Sequence, residues 1–122
     1  MANGFIKLKS GTDVRGVASP ILGRAVTLTE EATETIARAF ATWLQKKTGK
    51  AHLKIALGND SRITAKQLVE AFERGATKSG ADVVYTGLSS TPSMFMILQD
   101  EKRALDGSVM VTASHLPADR NG

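Results

Sequence analysis

The chain contains no cysteine. Disulfides, cysteine-ligated zinc and thiol nucleophiles are therefore excluded, and a reducing cytoplasm is the expected location. No long apolar run is present. The longest, Met94 to Leu98, is far too short to cross a bilayer, so no membrane association is expected. The opening MANGFIKLKSG lacks the apolar core of a signal peptide. No group of His, Asp and Glu at metal-ligand spacing occurs. Glycine-rich phosphate loops of the P-loop or dinucleotide type are missing, as is the G-x-S-x-G elbow of serine hydrolases. There is no internal repeat, low-complexity tract or linker, so residues 1–122 read as a single domain.

Sixteen basic and twelve acidic residues give a net charge of +4. That mild excess suits an anionic partner. The basic residues are scattered, however, and the densest cluster, Lys46-Lys47-Thr48-Gly49-Lys50, falls where a helix should end and complements its dipole. A nucleic-acid partner is therefore not expected.

Helical and extended patterns alternate along the chain. Residues 5–8 (FIKL) have the period-2 character of a short first strand, and a glycine-containing loop follows over 9–20. Thr27 and Glu30 offer a capping box for a first helix. Ala32, Ile36, Ala39, Phe40, Trp43 and Leu44 form its apolar stripe, and Gly49 its stop. Residues 53–57 (LKIAL) suit a buried strand. A second helix is predicted after Thr64, with Gln67 at capping-box distance and Leu68, Val69, Phe72 and Ala76 inside. Residues 82–85 (DVVY) form the next strand. Thr91-Pro92 opens a third helix, with Thr91 as cap and Met94, Phe95 and Leu98 buried. Residues 108–112 (SVMVT) are the last strand. This order predicts an α/β fold, a three-layer α/β/α sandwich with a mostly parallel, mixed four-stranded central sheet. In such sheets, ligands bind at the loops after the strands' carboxyl ends, here 58–64, 86–92 and 112–122.

Several residues in those loops could carry chemistry. Ser114 sits in a tight turn just after a buried strand and could act as a nucleophile. His115 beside it is an awkward base, because neighbouring side chains usually diverge. Alone, the dipeptide also reads as ordinary solvated turn chemistry. Arg15, between Gly11 and Gly16, could bind a phosphate through its fork, or simply pair with Asp13. Asp60 is expected to accept backbone N–H bonds in its turn, and Arg62 to brace a neighbouring loop. His52 reads as an unremarkable surface residue.

Taken in order, SGTDVRG (10–16), GNDSRIT (58–64), STP (90–92) and VMVTASHLPADRNG (109–122) resemble the N-terminal domain of the α-D-phosphohexomutases, the phosphoglucomutase/phosphomannomutase family. The resemblance covers essentially the whole chain, and Thr-Ala-Ser-His-x-Pro followed by Asn-Gly is its specific part. It implies an isomerase. Ser114 would carry a phosphoryl group and donate it to a hydroxyl of a phosphosugar substrate, giving a bisphosphorylated sugar that reorients and returns its other phosphate. It implies Mg²⁺, with the phosphate on Ser114 as one ligand, and a hexose bisphosphate activator. His115 would act near the reacting hydroxyl as an acid, base or orienting group, and Arg15 would hold and screen the phosphoryl charge. Phosphoryl transfer needs positioning and cationic groups more than a strong nucleophile.

Two departures stand out. Leu116 replaces the Asn that usually follows Ser-His, and the family often has a Lys shortly after Asn-Gly, whereas this sequence ends at Gly122. Family enzymes have four domains around one cleft, so the remaining domains would be partners of this one, and the isolated domain is expected to be inactive. The sugar, among glucose, mannose and glucosamine phosphates, is left open. The alternative is a stand-alone α/β module that binds a phosphorylated ligand through Arg15, Arg62 and the Ser114 loop without catalysis.

Overall fold

The computed structural model describes residues 2–122. A short helix α1 (Ala2–Ile6) leads into a ribbon of β1 (Lys9–Ser10) and β2 (Asp13–Val14), then β3 (Gly16–Val17) and a 3-10 turn at Pro20–Leu22. Three long elements follow: α2 (Glu30–Thr48), β4 (Leu53–Asn59) and α3 (Ala65–Lys78). The chain continues through β5 (Ala81–Leu88), α4 (Thr91–Met96) with a 3-10 turn at Ile97–Gln99, β6 (Gly107–Val111) and β7 (Arg120–Asn121).

The central sheet is parallel, in the order β5-β4-β6. Its middle strand is apolar because both faces are covered. From Leu53 to Gly58 only Lys54 is exposed. Leu53, Ile55 and Leu57 point to one face and pack with Leu68, Val69 and Phe72 of α3 and Ala37, Ala41 and Leu44 of α2. Burying one such leucine stabilises the fold by roughly 1.5–3 kcal/mol. On the opposite face Gly58 admits Met94 of α4, since a Cβ at 58 would lie 2.7 Å from the methionine sulfur. The architecture is thus the expected α/β one, with helices on both faces of a parallel sheet.

The central sheet has three strands rather than four. Residues 5 and 6 belong to α1, and Ile6 is 69% exposed. Only Leu8 of the expected FIKL strand is buried, because four residues of alternation cannot specify a strand without a partner edge. The antiparallel pairing occurs instead in two small ribbons, β1 with β2 and β3 with β7.

Helix caps moved for similar reasons. Thr29, not Thr27, caps α2 by accepting the Ala32 N–H at 3.1 Å. The Thr27 hydroxyl instead accepts the Val17 N–H at 3.0 Å. Thr64 precedes α3 without capping it, because its hydroxyl accepts a bond from the Asn121 amide at 2.9 Å. Ser90 caps α4 in a reciprocal box with Ser93, leaving Thr91 inside the helix. Gly49 does end α2, at φ +72°. The stripe on α2 is rotated: Thr33, Ala37, Ala41 and Leu44 are buried, Ile36 and Phe40 half-buried, and Ala39 and Trp43 exposed. In α4 only Met94 is buried, while Phe95 is 71% exposed. That helix is only six residues long and offers one residue to the sheet.

Candidate active site

The loops after β4, β5 and β6 gather at one end of the sheet. The Asp60 N–H donates to the Val111 carbonyl (3.2 Å), and the Ser89 N–H to the Asn59 carbonyl (2.8 Å). The strand β6 ends at Val111, and the turn that follows carries Ser114. Ala113, completely buried, anchors this turn, while Ser114 and His115 are exposed.

Ser114 has φ +57°, in the left-handed region. For a residue with a Cβ this conformation costs on the order of 1–2 kcal/mol and persists only where the surroundings impose it. It has a direct chemical consequence. The expected divergence of neighbouring side chains does not occur, and Ser114 Oγ lies 3.3 Å from His115 Nδ1. An extended backbone would send the two to opposite sides; the left-handed turn brings them to the same one.

Arg62 braces the loop. Its Nη1 donates to the carbonyls of Pro117 (2.9 Å) and Arg120 (3.0 Å), and its Nη2 to those of Ser114 (2.8 Å) and Leu116 (2.9 Å). Asp60 accepts the Arg62 N–H at 3.2 Å, as its position in the turn suggested. Its other oxygen accepts the Thr112 hydroxyl at 2.6 Å. Leu116 contributes to the loop through its backbone, its N–H donating to the Ala113 carbonyl at 3.1 Å. These main-chain bonds do not depend on whether residue 116 is Leu or Asn.

The far end of the loop is held by a residue that sequence reading passed over. Asp119 is completely buried, and its carboxylate accepts two bonds from the Arg24 guanidinium, the Nε one at 2.7 Å. The hydrogen bond from Arg24 holds its pKa below the ordinary carboxylate value, against the effect of desolvation. Its carbonyl accepts the N–H groups of Ala18 and Ser19. Residues 24 and 119 lie far apart in the chain, and no local pattern marks the pair.

Ser114 opens onto a cleft of about 470 Å³ lined by Asp13, Val14, Arg15, Thr91, Met110, Thr112 and Gly122 as well. The structure therefore brings Arg15 and Ser114 to one cavity. Arg15 pairs with Asp13 at 3.2 Å and also lines the cleft, with 24% of its side chain exposed. His115 contacts the serine from outside that lining. His52 pairs with Asp82 on the surface at 2.9 Å.

A family model described as phosphoglucomutase/phosphomannomutase, alpha/beta/alpha domain I, matches residues 8–122. The chain belongs to this family. It is 38% identical over its whole length to a phosphoglucomutase of Neisseria meningitidis serogroup A, of which it spans 24%. It is 34% identical over 92% of its length to a phosphoglucosamine mutase of Staphylococcus epidermidis, spanning 23% of that protein. An X-ray structure of a phosphoglucomutase/phosphomannomutase family protein from Burkholderia thailandensis superposes with a TM-score of 0.71 at 28% identity, covering 90% of this chain and 23% of that one. The chain thus corresponds to under a quarter of each of these proteins, the part that the family model calls domain I.

The residues present do not build a metal centre on their own. Among the described residues no group of three or more His, Asp or Glu could hold an ion. Asp60 is engaged with Thr112 and Arg62, and Asp13, which lines the cleft with Ser114, is engaged with Arg15. No helix among these residues is long and apolar enough to cross a membrane.

Proposed function

We propose that this chain is the phosphoserine-bearing first domain of a phosphohexomutase, with Ser114 as the phosphoryl carrier. The observation that carries the reading is the left-handed Ser114, which turns its hydroxyl next to His115 at the mouth of a cleft that also contains Arg15. In the forward half-reaction a sugar hydroxyl attacks the phosphorus on Ser114. The bond from phosphorus to Oγ breaks as the bond to the sugar oxygen forms. The sugar hydroxyl loses a proton, and Oγ must regain one. His115 would relay it, a role supported by its Nδ1 lying 3.3 Å from Oγ. Arg15 offsets charge on the transferring group. The return half-reaction reverses these steps with the sugar's other phosphate, and hexose bisphosphate primes the cycle. Mg²⁺ would take one ligand from the Ser114 phosphoryl group and the rest from outside these residues. The candidate phosphosugars are the glucose, mannose and glucosamine phosphates, and the isolated domain is inactive on this reading.

The test replaces the matching region of the N. meningitidis phosphoglucomutase with this chain. The chimera is expected to interconvert hexose 1- and 6-phosphates and to carry phosphate at Ser114. Ser114→Ala should abolish the label and lower kcat by at least about 10³-fold. A folded Ser114→Ala chimera with undiminished turnover would sink the proposal. A chimera that binds phosphosugar but never labels Ser114 would favour a non-catalytic binding module.

A further inference from the structure

We propose that Asp60 and Arg62 are the positioning residues that set the Ser114 torsion, and through it the direction of the nucleophile. The inference rests on Ser114 being the phosphoryl carrier. Holding both the N–H and the C=O of a residue orients the peptide planes on either side of it and so fixes φ and ψ together. At Ser114 both are. The carbonyl accepts from Arg62 Nη2 at 2.8 Å, and the N–H donates to Thr112 Oγ1 at 3.1 Å. The Thr112 hydroxyl has one proton, and that proton goes to Asp60 Oδ2 at 2.6 Å. Asp60 therefore turns the lone pairs of Thr112 toward Ser114. The two acting residues are themselves joined. Asp60 Oδ1 accepts the Arg62 N–H at 3.2 Å, and Oδ2 lies 3.6 Å from Arg62 Nε, which makes no hydrogen bond of its own.

The pair stands at the end of the most buried strand of the sheet. Asp60 follows β4 directly, and its N–H is bonded to the last residue of β6. The rigidity of the core is thus transmitted to one torsion angle through two side chains. Neither residue lines the Arg15 cleft. Their role is to impose a conformation that Ser114 would not hold unaided, and the planar guanidinium is suited to it because four carbonyls converge on its two terminal nitrogens.

The test begins with the isotope-labelled 122-residue chain. In the unmodified chain the amide-to-Hα coupling of Ser114 should report a left-handed residue, with a protected amide. Arg62→Lys keeps the charge but loses the fork. It is expected to give Ser114 the averaged coupling of a mobile loop and at least about tenfold faster amide exchange, with the amides of Ile55 and Leu57 unchanged. Thr112→Val, which removes the acceptor while keeping the shape, should move the same signals and serves if Arg62→Lys fails to fold. Retention of the Ser114 coupling and exchange rate in either folded variant overturns the proposal. In the chimera, Arg62→Lys should lower kcat at least about tenfold with KM within about twofold. A loss confined to KM also overturns it. A parent chimera no more active than Ser114→Ala counts against phosphoryl transfer instead, and the spectra still decide the torsional role.

Discussion

The core beneath the sheet and the Ser114 loop are held in opposite ways. The core relies on area: Leu53, Ile55 and Leu57 are fully buried against α2 and α3. Each contact there is small and many residues share them. The loop relies on direction. One arginine, one aspartate and one threonine hold a strained serine through hydrogen bonds. A core of this kind tolerates changes that keep its volume. A loop of this kind tolerates changes of volume but not the loss of a donor, as Leu116 illustrates by occupying a turn that is fastened through its backbone.

The contrast can be tested by breaking each region in turn. The largest loss of stability is expected from Leu57→Ala, about 2–5 kcal/mol by urea denaturation, with the Ser114 coupling retained in the folded fraction. Gly75→Ala should cost about 1–3 kcal/mol by overpacking, because a Cβ there would overlap the Glu34 carbonyl where α2 and α3 touch. A cost near zero would mean that the helices can separate without penalty.

Acid should act on the ion pairs that border both regions. Hydrogen bonds from Arg24 to Asp119 and from Lys78 and Arg74 to Glu34 lower the carboxyl pKa values. At Asp106 desolvation opposes the shift, but bonds from Lys50 and the Lys54 N–H outweigh it. A lowered folded pKa contributes stability that is complete above the unfolded value, near about 4, and is lost as pH falls through the folded one. Urea midpoints should therefore be flat from neutral pH to about 5 and fall below about 4. Asp119→Asn should lower the neutral midpoint and flatten the acid decline. An unchanged decline would show that the buried Asp119 is not part of it.

The smallest effect is expected at the serine itself. Ser114→Gly removes a Cβ from a left-handed residue while adding freedom to the unfolded chain. It should raise stability by about 0.5 kcal/mol, a rise of roughly 2–4 °C in Tm. Lower stability would mean that the turn suits serine and holds no strain.

Much of the fold was legible locally. The apolar run at 53–57 and the amphipathic segments at 30–48 and 65–78 mark a strand and two helices, because burial on one or both faces imposes a period on the sequence. The placement of Ser114 in a tight turn just after the last strand of the sheet was legible too. What failed locally failed through competition for side chains. Thr27 and Thr64 look like caps, but Val17 and Asn121 engage their hydroxyls from elsewhere in the chain. Phe95 looks buried by its period, but no element covers that side of α4 among the described residues.

By itself, then, the sequence determined the alternation of helices and strands, the parallel sheet and the residues at the strand ends, since these follow from hydrophobic period and from turn chemistry. Only the tertiary structure decided that Ser114 is left-handed and faces His115, that Arg62 holds four carbonyls of one loop, and that Asp119 is buried against Arg24. The physical reason is range. A period is read within one element, whereas a hydrogen bond joining residues 52 or 95 positions apart exists only once the core has brought its two ends together.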